Sequence, residues 1–335
     1  MEALRPREHE TKAVYSMKIK ELTDWVINKA HFTTLDGFVK FCEAYLDYVD
    51  AGELQAVIVS QNENHYRFWQ YGESAGFQIT RPINSRLIYT GSEFEKAKRD
   101  FLEVLPELRN TGGTISPEIR DAMNRTVYTV QQSIGAALDA LPAGETNKAR
   151  KLNGTLFENF VRLILNAMQV DAQAGTVMVP VVVDGAEQFR MSYQHDLIVK
   201  YEGDVRAIGS IKTSSKDRID KIFIDKFLYS RLTNSNLPHI AIFLNDVQRK
   251  NTATPGRYGI SATFLPGHFK GYTIKLNPLD GVYYCDIRPN MTTEPILKDH
   301  IRTLDHLLCS DIWKFLQQRD GLHVEADTKG PIDLD

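Results

Sequence analysis

The segment QHDLIVKYEGDVRAIGSIKTSSKDRIDK, near the middle of the 335-residue chain, brings together residue types that can do chemistry. It predicts two apolar strands around a tight turn, followed by a charged helix. If the strands pair about Gly203, Ile198 lies opposite Ile208 and Asp196 lies opposite Ser210. The second predicted strand is thus interrupted by polar residues on the face that carries the Asp.

Alternation of side chains in the hairpin places Asp196 and Lys212 on one face, within reach of a shared ligand. The other face is predicted to be core and carries Leu197, Val199, Val205, Ala207 and Ile211. A carboxylate on a rigid strand can hold a hard cation such as Mg²⁺, which polarises a phosphate and lowers the pKa of a bound water. A nearby ammonium can orient that water or stabilise developing negative charge. The pair therefore suits phosphodiester hydrolysis. The alternative is an ordinary surface ion pair, which contributes only ~0–1 kcal/mol.

The hairpin resembles the core of the PD-(D/E)xK nuclease superfamily. His195-Asp196 stands for the Pro-Asp of that motif, and Ser210-Ile211-Lys212 stands for acid-x-Lys. The stretch SIKTSSKDR is similar to one branch, the type II restriction endonucleases that cut CCGG-containing and related sites. In that branch the strand reads Ser-x-Lys-Thr/Ser, basic residues and Asp-Arg follow, and the next helix supplies the missing acid. The resemblance covers roughly residues 154–232.

The resemblance implies that an acid about a dozen residues after Lys212 completes the site. Asp225 occupies such a position on a partly apolar stripe of the predicted helix IDKIFIDKFLYSRL. The branch usually has Glu one place further, where this chain has Lys226, and Asp220 is the substitute candidate. Alternatively Asp217, Asp220 and Asp225 simply alternate with lysines on a solvated helix face.

A further carboxylate, Glu158, lies in the predicted helix GTLFENFVRLIL, where the superfamily often places a Glu before the sheet. The alternative is a surface Glu that pairs with Arg162 four residues later. The nuclease reading implies that Glu158, Asp196 and Asp225 bind one or two Mg²⁺ ions. It also implies that Lys212 lies close to the phosphate and that Ser210 replaces the usual acid.

Two polar segments are predicted to contact DNA. The first adjoins Lys212 at the start of a helix, where anions are favoured, and comprises Ser214, Ser215, Lys216 and Arg218. The second is the predicted loop NDVQRKNTATPGRYG, in which Arg-to-guanine or Asn-to-adenine contacts are possible. Its candidates are Arg249, Lys250, Asn251 and Arg257. Surface loops are commonly polar without any such role, so the plain alternative stays open.

The elements that must position these residues predict an α/β fold, a restriction-endonuclease-like mixed sheet flanked by helices. Residues 1–145 are predicted to form a mainly helical domain with two short strands, LQAVIVS and SRLIYTG. This domain would act in DNA clamping, dimerisation or effector binding. Residues 146–320 would form the nuclease domain, with strands at TVMVPVVV, the hairpin, HIAIFLN and YTIKL. Residues 321–335 would be a flexible acidic tail.

Composition limits the classes of protein to which the chain can belong. The formal net charge of −3 argues against a non-specific nucleic-acid coat protein, which would be strongly basic. Three widely spaced cysteines, Cys42, Cys285 and Cys309, give no zinc or disulfide pattern. The N-terminus MEALRPREHETK shows no signal-peptide pattern, and no apolar run approaches the ~18 residues of a membrane span. We therefore expect a cytoplasmic protein with no membrane partner.

Together these features predict a type II restriction endonuclease that makes Mg²⁺-dependent double-strand breaks at a short specific sequence. The predicted partners are double-stranded DNA, a second copy in a homodimer that matches a palindromic site, and a cognate DNA methyltransferase in the host. One alternative keeps the fold and acts as a repair, recombination or transposon-end nuclease. Another is a catalytically inactive DNA-binding or regulatory module, since Ser210 stands where an acid is usual.

Overall fold

The computed structural model describes residues 17–72, 78–216, 218–318 and 326–327. The segment MEALRPREHETK and Asp217 lie outside the described residues. So does most of the predicted tail, 321–335, of which only Ala326–Asp327 is described, as a short strand.

Within the described part of the first 145 residues the main elements are four helices, as the apolar spacing predicts. They are α1 (Ile19–Val26), α2 (Leu35–Asp50), α3 (Gly91–Thr111) and α4 (Pro117–Leu138). The N-cap of α3 is Thr90, which forms a reciprocal capping box with Glu93. Helix α4 begins with Ser116 as N-cap and Pro117 in its first turn, as expected for that residue type.

A small sheet accompanies these helices. Its strands are β1 (Leu54–Val59), β2 (Tyr66–Tyr71), β3 (Gln78–Ile79) and β4 (Ile83–Asn84), and β2 pairs with the other three. The predicted strand LQAVIVS is confirmed as β1. The predicted strand SRLIYTG is wrong, because this segment turns back onto α4, where the backbone N–H of Tyr89 donates to Thr129 Oγ1. The aromatic segment YRFWQY is the mostly buried strand β2.

The remaining strands and helices complete the fold. The strands are β5 (Asp171–Val183), β6 (Ala186–Tyr201), β7 (Asp204–Ser214), β8 (His239–Asn245), β9 (Val247–Asn251), β10 (Tyr258–Ala262), β11 (Gly281–Tyr284), β12 (Ile301–Thr303) and β13 (Ala326–Asp327). The helices are α5 (Thr146–Ala167), α6 (Ile219–Thr233), α7 (Pro266–Lys275), α8 (Pro289–Thr293), α9 (Leu297–His300), α10 (Leu304–His306) and α11 (Ile312–Gln317).

The main sheet has seven strands within the described residues, in the order β12-β11-β8-β7-β6-β5-β13. Strands β12, β11, β8 and β7 run parallel, whereas β7, β6, β5 and β13 pair antiparallel. Helices cover both faces of this sheet. The prediction of a mixed α/β sheet flanked by helices is therefore confirmed.

The central hairpin has the predicted register, with Ile198 opposite Ile208. Its turn places Glu202 and Gly203 in the left-handed region, at φ 53° and 87°, which suits a two-residue hairpin loop. A β-bulge then shifts the register between Val199 and Lys200. Val205 is buried as predicted, but on the other face, because the extra residue turns its side chain toward Ile198 and Ile208.

Two other predicted elements differ from the structure. The segment YTIKL belongs to helix α7, which begins at Pro266, rather than to a strand. The predicted loop 245–259 contains most of a two-stranded hairpin, in which β9 and β10 pair from Val247 to Ala262. The strand HIAIFLN is confirmed as β8.

The largest hydrophobic core continues across the predicted domain boundary. It joins residues of α1 to α5 to one face of the hairpin, which contributes Leu197, Val199, Ala207 and Ile211. Phe38 of α2 stacks on Phe160 of α5 with 4.7 Å between ring centroids. A second core beneath α6 and α7 covers the other side of the sheet. The division into separate domains stays a prediction.

The three cysteines, Cys42, Cys285 and Cys309, are all unpaired and buried. None of the helices in the described part of the chain combines the length and apolarity needed to cross a bilayer.

Candidate active site

Three predicted site residues meet near the C-terminal end of β7, in the middle of the main sheet. Glu158 comes from α5, Asp196 from β6, and Lys212 from near the C-terminal end of β7. Lys212 Nζ donates to Asp196 Oδ2 at 2.5 Å and to Glu158 Oε1 at 3.1 Å. All three side chains are partly buried, with between 18 and 29 % of each exposed. The hairpin and the preceding helix therefore bring one ammonium between two carboxylates.

Two further hydrogen bonds fix Asp196. Its Oδ2 accepts from the backbone N–H of Ile211 at 2.9 Å, and its backbone carbonyl accepts from Arg162 Nη1 at 2.8 Å. Arg162 was the alternative partner of Glu158, but Glu158 instead accepts from Lys212. Asp196 is thus held by the neighbouring strand and by α5, as a rigid ligand or catalytic group must be.

Burial and charge together shift the pKa values of Glu158 and Lys212. The pKa of Glu158 is raised, first by burial and then by the negative charge of Asp196, against the opposing effect of Lys212. Burial alone would lower the pKa of Lys212, but the two carboxylates outweigh it and raise that pKa. Lys212 is therefore a cation at neutral pH, and it offsets the repulsion between the carboxylates.

A cavity of about 210 Å³ opens beside Asp196 and Lys212, and Glu158 is not part of its wall. Its walls include Asp196, Ser210 and Lys212 from the hairpin and Arg218, Lys221, Ile222 and Asp225 from the α6 side. Asp225 forms an ion pair with Lys221, one turn earlier on the same helix. Asp220 does not line this cavity. A larger cavity, near Arg206 and Trp313, has none of these site residues in its wall.

Lys226, which stands where the resembled branch usually has Glu, faces away from the cavity. It is buried, and its Nζ donates to Asp280 Oδ2 at 2.7 Å and to the carbonyl of Pro278 at 2.5 Å. Its side chain therefore ties α6 to the segment before β11. The acid one place earlier, Asp225, is the one on the cavity side.

The donor atoms of this site fit a hard cation. Asp196, Glu158 and Ser210 offer only oxygen, which is the ligand type that Mg²⁺ prefers. Burial, and after it the negative charge of Asp196, raises the pKa of Glu158, and a bound cation would favour the charged form of this carboxyl. No group of three His, Cys, Asp or Glu side chains among the described residues is placed to hold a metal together. The remaining ligands would therefore be water or substrate phosphate, as is common for Mg²⁺.

The predicted DNA contacts beside Lys212 are placed differently from one another. Lys216 and Arg218 are exposed in the loop before α6, and Lys216 Nζ donates to Gln248 Oε1 at 3.1 Å. Ser214 accepts a hydrogen bond from the backbone N–H of Lys216. Ser215 is 1 % exposed and its hydroxyl bonds to Thr263, so the expected phosphate contact through its side chain is not available in this structure.

The second predicted DNA-contact segment is a hairpin rather than a loop. Arg249, Lys250 and Asn251 lie on β9, and Arg257 lies in the connection to β10. Arg249 Nη1 donates to the carbonyl of Ile79 at 2.7 Å, which ties β9 to the small sheet. Lys250, Asn251 and Arg257 are exposed and remain the candidates for base contacts.

The floor of the cavity includes two histidines that sequence reasoning did not select. His195 was considered only as the neighbour of Asp196, and His239 was part of the apolar strand HIAIFLN. Both line the cavity, and their rings lie 6.3 Å apart between centroids. Burial lowers the pKa of His195 to about 4 and that of His239 to about 3. Forty-four positions separate them in the sequence, so no spacing signal could have joined them.

Acid is expected to destabilise the fold through His239. Its pKa lies below the ordinary 6.5 of an unfolded histidine, so its contribution to stability is complete above pH 6.5 and is lost as pH falls toward about 3. Urea unfolding should give a free energy about 2 kcal/mol lower at pH 5 than at pH 7 from this residue alone. His239→Phe should remove that part of the pH dependence, whereas His268→Ala, at an exposed position of α7, should leave it in place. An unchanged pH dependence in His239→Phe would contradict the assignment.

A solved structure is similar to this chain over most of its length. It is the Type IIP restriction endonuclease Kpn2I, with a TM-score of 0.65 and 19 % sequence identity, and the match covers 89 % of this chain and 97 % of that one. No protein-family model and no curated protein sequence matches. At this identity the likeness establishes the fold, which is restriction-endonuclease-like. It also extends far beyond residues 154–232, to which the sequence resemblance is confined.

Proposed function

We propose that this protein is a type II restriction endonuclease that makes Mg²⁺-dependent double-strand breaks at a short specific DNA sequence. The observation that carries the proposal is the contact of Lys212, near the C-terminal end of β7, with both Asp196 and Glu158. An isolated surface ion pair would not be held by the hydrogen bonds from Ile211 and Arg162. The fold likeness to a Type IIP restriction endonuclease supports the same chemistry.

In the proposed mechanism Asp196 and Glu158 hold the cation. When bound, Mg²⁺ supplies charge that polarises the scissile phosphate and lowers the pKa of a water. Lys212 orients the attacking water and stabilises the charge that develops on the phosphate. Asp225, across the cavity, takes the part of the displaced acid, and the Ser210 hydroxyl occupies the wall where the superfamily usually has a carboxylate.

The substrate proposed for this site is duplex DNA. Lys216 and Arg218 are exposed beside the cavity, where cations favour phosphate groups. The exposed residues Lys250, Asn251 and Arg257 are proposed to read base edges. A palindromic site would be bound by a homodimer, and a cognate DNA methyltransferase would protect the host DNA.

Incubation with unmethylated phage DNA and Mg²⁺ tests the proposal. We expect discrete fragments whose ends share one short sequence, and we expect EDTA to prevent cleavage because the carboxylate pair then lacks its cation. Cleavage only at branched or damaged DNA would indicate a repair or recombination nuclease. Mg²⁺-independent binding without cleavage would indicate an inactive DNA-binding module. No affinity for DNA even at low salt would contradict all three functions.

A further inference from the structure

Three buried polar atoms without hydrogen-bond partners belong to one cluster of rings, of which His195 and His239 line the cavity. They are Nε2 of His195 on β6, Nε2 of His239 on β8 and Oη of Tyr229 on α6. The three side chains are 7, 4 and 0 % exposed. Their ring centroids lie between 5.1 and 6.4 Å apart. Unpartnered polar atoms are rare inside proteins, so three from separate elements in one cluster require an explanation.

The hydrogen bond made by the other nitrogen of His239 fixes what its Nε2 can do. Nδ1 lies 2.8 Å from the carbonyl of Leu237, and a carbonyl can only accept, so Nδ1 carries the proton. Burial keeps this imidazole neutral, and Nε2 is therefore a hydrogen-bond acceptor that faces no donor among the described residues. A buried acceptor and a buried hydroxyl without partners are both unfavourable.

We infer that an ordered water is bound on the cavity floor by His239, Tyr229 and His195. Three polar partners are the usual number for a buried water, and the adjoining cavity offers room for one. The water donates to His239 Nε2, accepts from Tyr229 Oη and makes its third hydrogen bond with His195 Nε2.

The bound water also gives these residues a part in catalysis, and this step rests on the proposed function. His195 directly precedes Asp196, and it lines the same cavity as Asp196 and Asp225. A water that holds the ring of His195 in place also holds the part of the cavity wall between Asp196 and Asp225. Tyr229 and His239 are therefore positioning residues that act through His195, without contact to the phosphate.

The thermal stability of Tyr229→Phe tests the water itself, and it can be measured on the whole chain without DNA. If the hydroxyl bonds to a water, its removal lowers Tm. If the hydroxyl has no partner, removal leaves Tm unchanged or raises it, and the inference is overturned. The matched control is Tyr193→Phe in the same ring cluster, whose hydroxyl reaches only Met191 Sδ at 3.9 Å and whose loss should change Tm little.

A high-resolution crystal structure provides a second test, which does not depend on any variant. We expect a peak about 2.8 Å from the three atoms. An empty site overturns the inference, and so does an anomalous peak with bonds of about 2.0–2.1 Å, which would identify a transition metal.

Cleavage kinetics then separate the bound water from its proposed part in catalysis. We expect Tyr229→Phe to lower kcat about tenfold with KM for DNA unchanged, since a small displacement of a catalytic acid slows the chemical step. A lowered Tm with unchanged kcat overturns the positioning role and leaves the water. If the wild-type protein cleaves no DNA, the proposed function fails, but the Tm and crystallographic tests still decide the water.

Discussion

Replacing Lys212 with Ala is expected to lower the rate of DNA cleavage by about 10²–10⁴-fold, the range for loss of one group that acts on the transition state. Lys212 Nζ is the one cation that contacts both Asp196 and Glu158 within the described residues. Its removal takes away the positive charge beside the phosphate. It also leaves the negative charges of Asp196 and Glu158 without the cation that offsets them. Single-turnover cleavage of a duplex that carries the recognised sequence would measure the loss.

Two measurements show whether Lys212→Ala loses the chemical step rather than folding or DNA binding. Circular dichroism and a gel-shift assay should find Lys212→Ala folded and bound to the duplex, because the side chain is not part of the hydrophobic cores. The matched control is Lys216→Ala, an exposed lysine four residues later whose Nζ reaches only Gln248. Lys216→Ala should weaken DNA binding, and the slope of log K against log salt concentration should fall by about the amount expected for one phosphate contact. The rate of the chemical step should stay unchanged. Cleavage by Lys212→Ala at a near-wild-type rate would exclude the mechanism proposed above.

The same variant also tests the proposed cation site without any need for activity. The ammonium of Lys212 lies where both carboxylates can reach it, so it competes with a divalent ion for their oxygens. Calorimetric titration should show Mg²⁺ binding at least as tightly to Lys212→Ala as to the wild type. Asp196→Asn should weaken that binding, because it removes one of the two charges. Equal affinity in all three proteins would place the cation elsewhere.

The geometry of the hairpin could be predicted from sequence because it follows from two local rules. The period of two in side-chain direction and the turn at Gly203 together set the pairing of Ile198 with Ile208. The bulge beyond Val199 could not be predicted, because no residue type in that strand signals it, and Val205 was placed on the wrong face. On the side of the bulge away from the turn, the predicted register holds as far as Leu197 opposite Gly209, and the hydrogen bond from the Ile211 N–H to Asp196 Oδ2 keeps Asp196 beside β7.

Contacts between distant segments explain what sequence reasoning missed. Helix α7 carries YTIKL, whose β-branched and aromatic residues favour a strand locally, but the tertiary structure makes it a helix. The ring cluster of His195, Tyr229 and His239 could not be predicted, because only the packing of β6, β8 and α6 brings these residues together. Glu158 could be proposed only through the family resemblance, since its partner Lys212 is 54 residues away.

The choice of acid on α6 can be decided by comparing Asp225→Ala with Asp220→Ala. Asp225 lines the cavity together with Asp196 and Ser210, whereas Asp220 does not. We expect Asp225→Ala to lower the cleavage rate about 10²-fold or more, as loss of a catalytic or cation-binding acid would. Asp220→Ala, on the same helix and of the same charge, should remain within about threefold of wild type, since a surface substitution changes stability by no more than ~0.5 kcal/mol.

The ion pair between Asp225 and Lys221 could offer another explanation, and Lys221→Ala removes it. Lys221 is 72 % exposed, so the pair adds only ~0–1 kcal/mol to stability, and its loss should not unfold the helix. If Lys221→Ala retains cleavage while Asp225→Ala loses it, the carboxylate itself is needed and the freed lysine is not the cause. If Asp220→Ala is the variant that fails, the displaced acid lies at the start of α6, and the cavity does not define the catalytic centre. The same measurement therefore decides both which acid acts and whether catalysis takes place in this cavity.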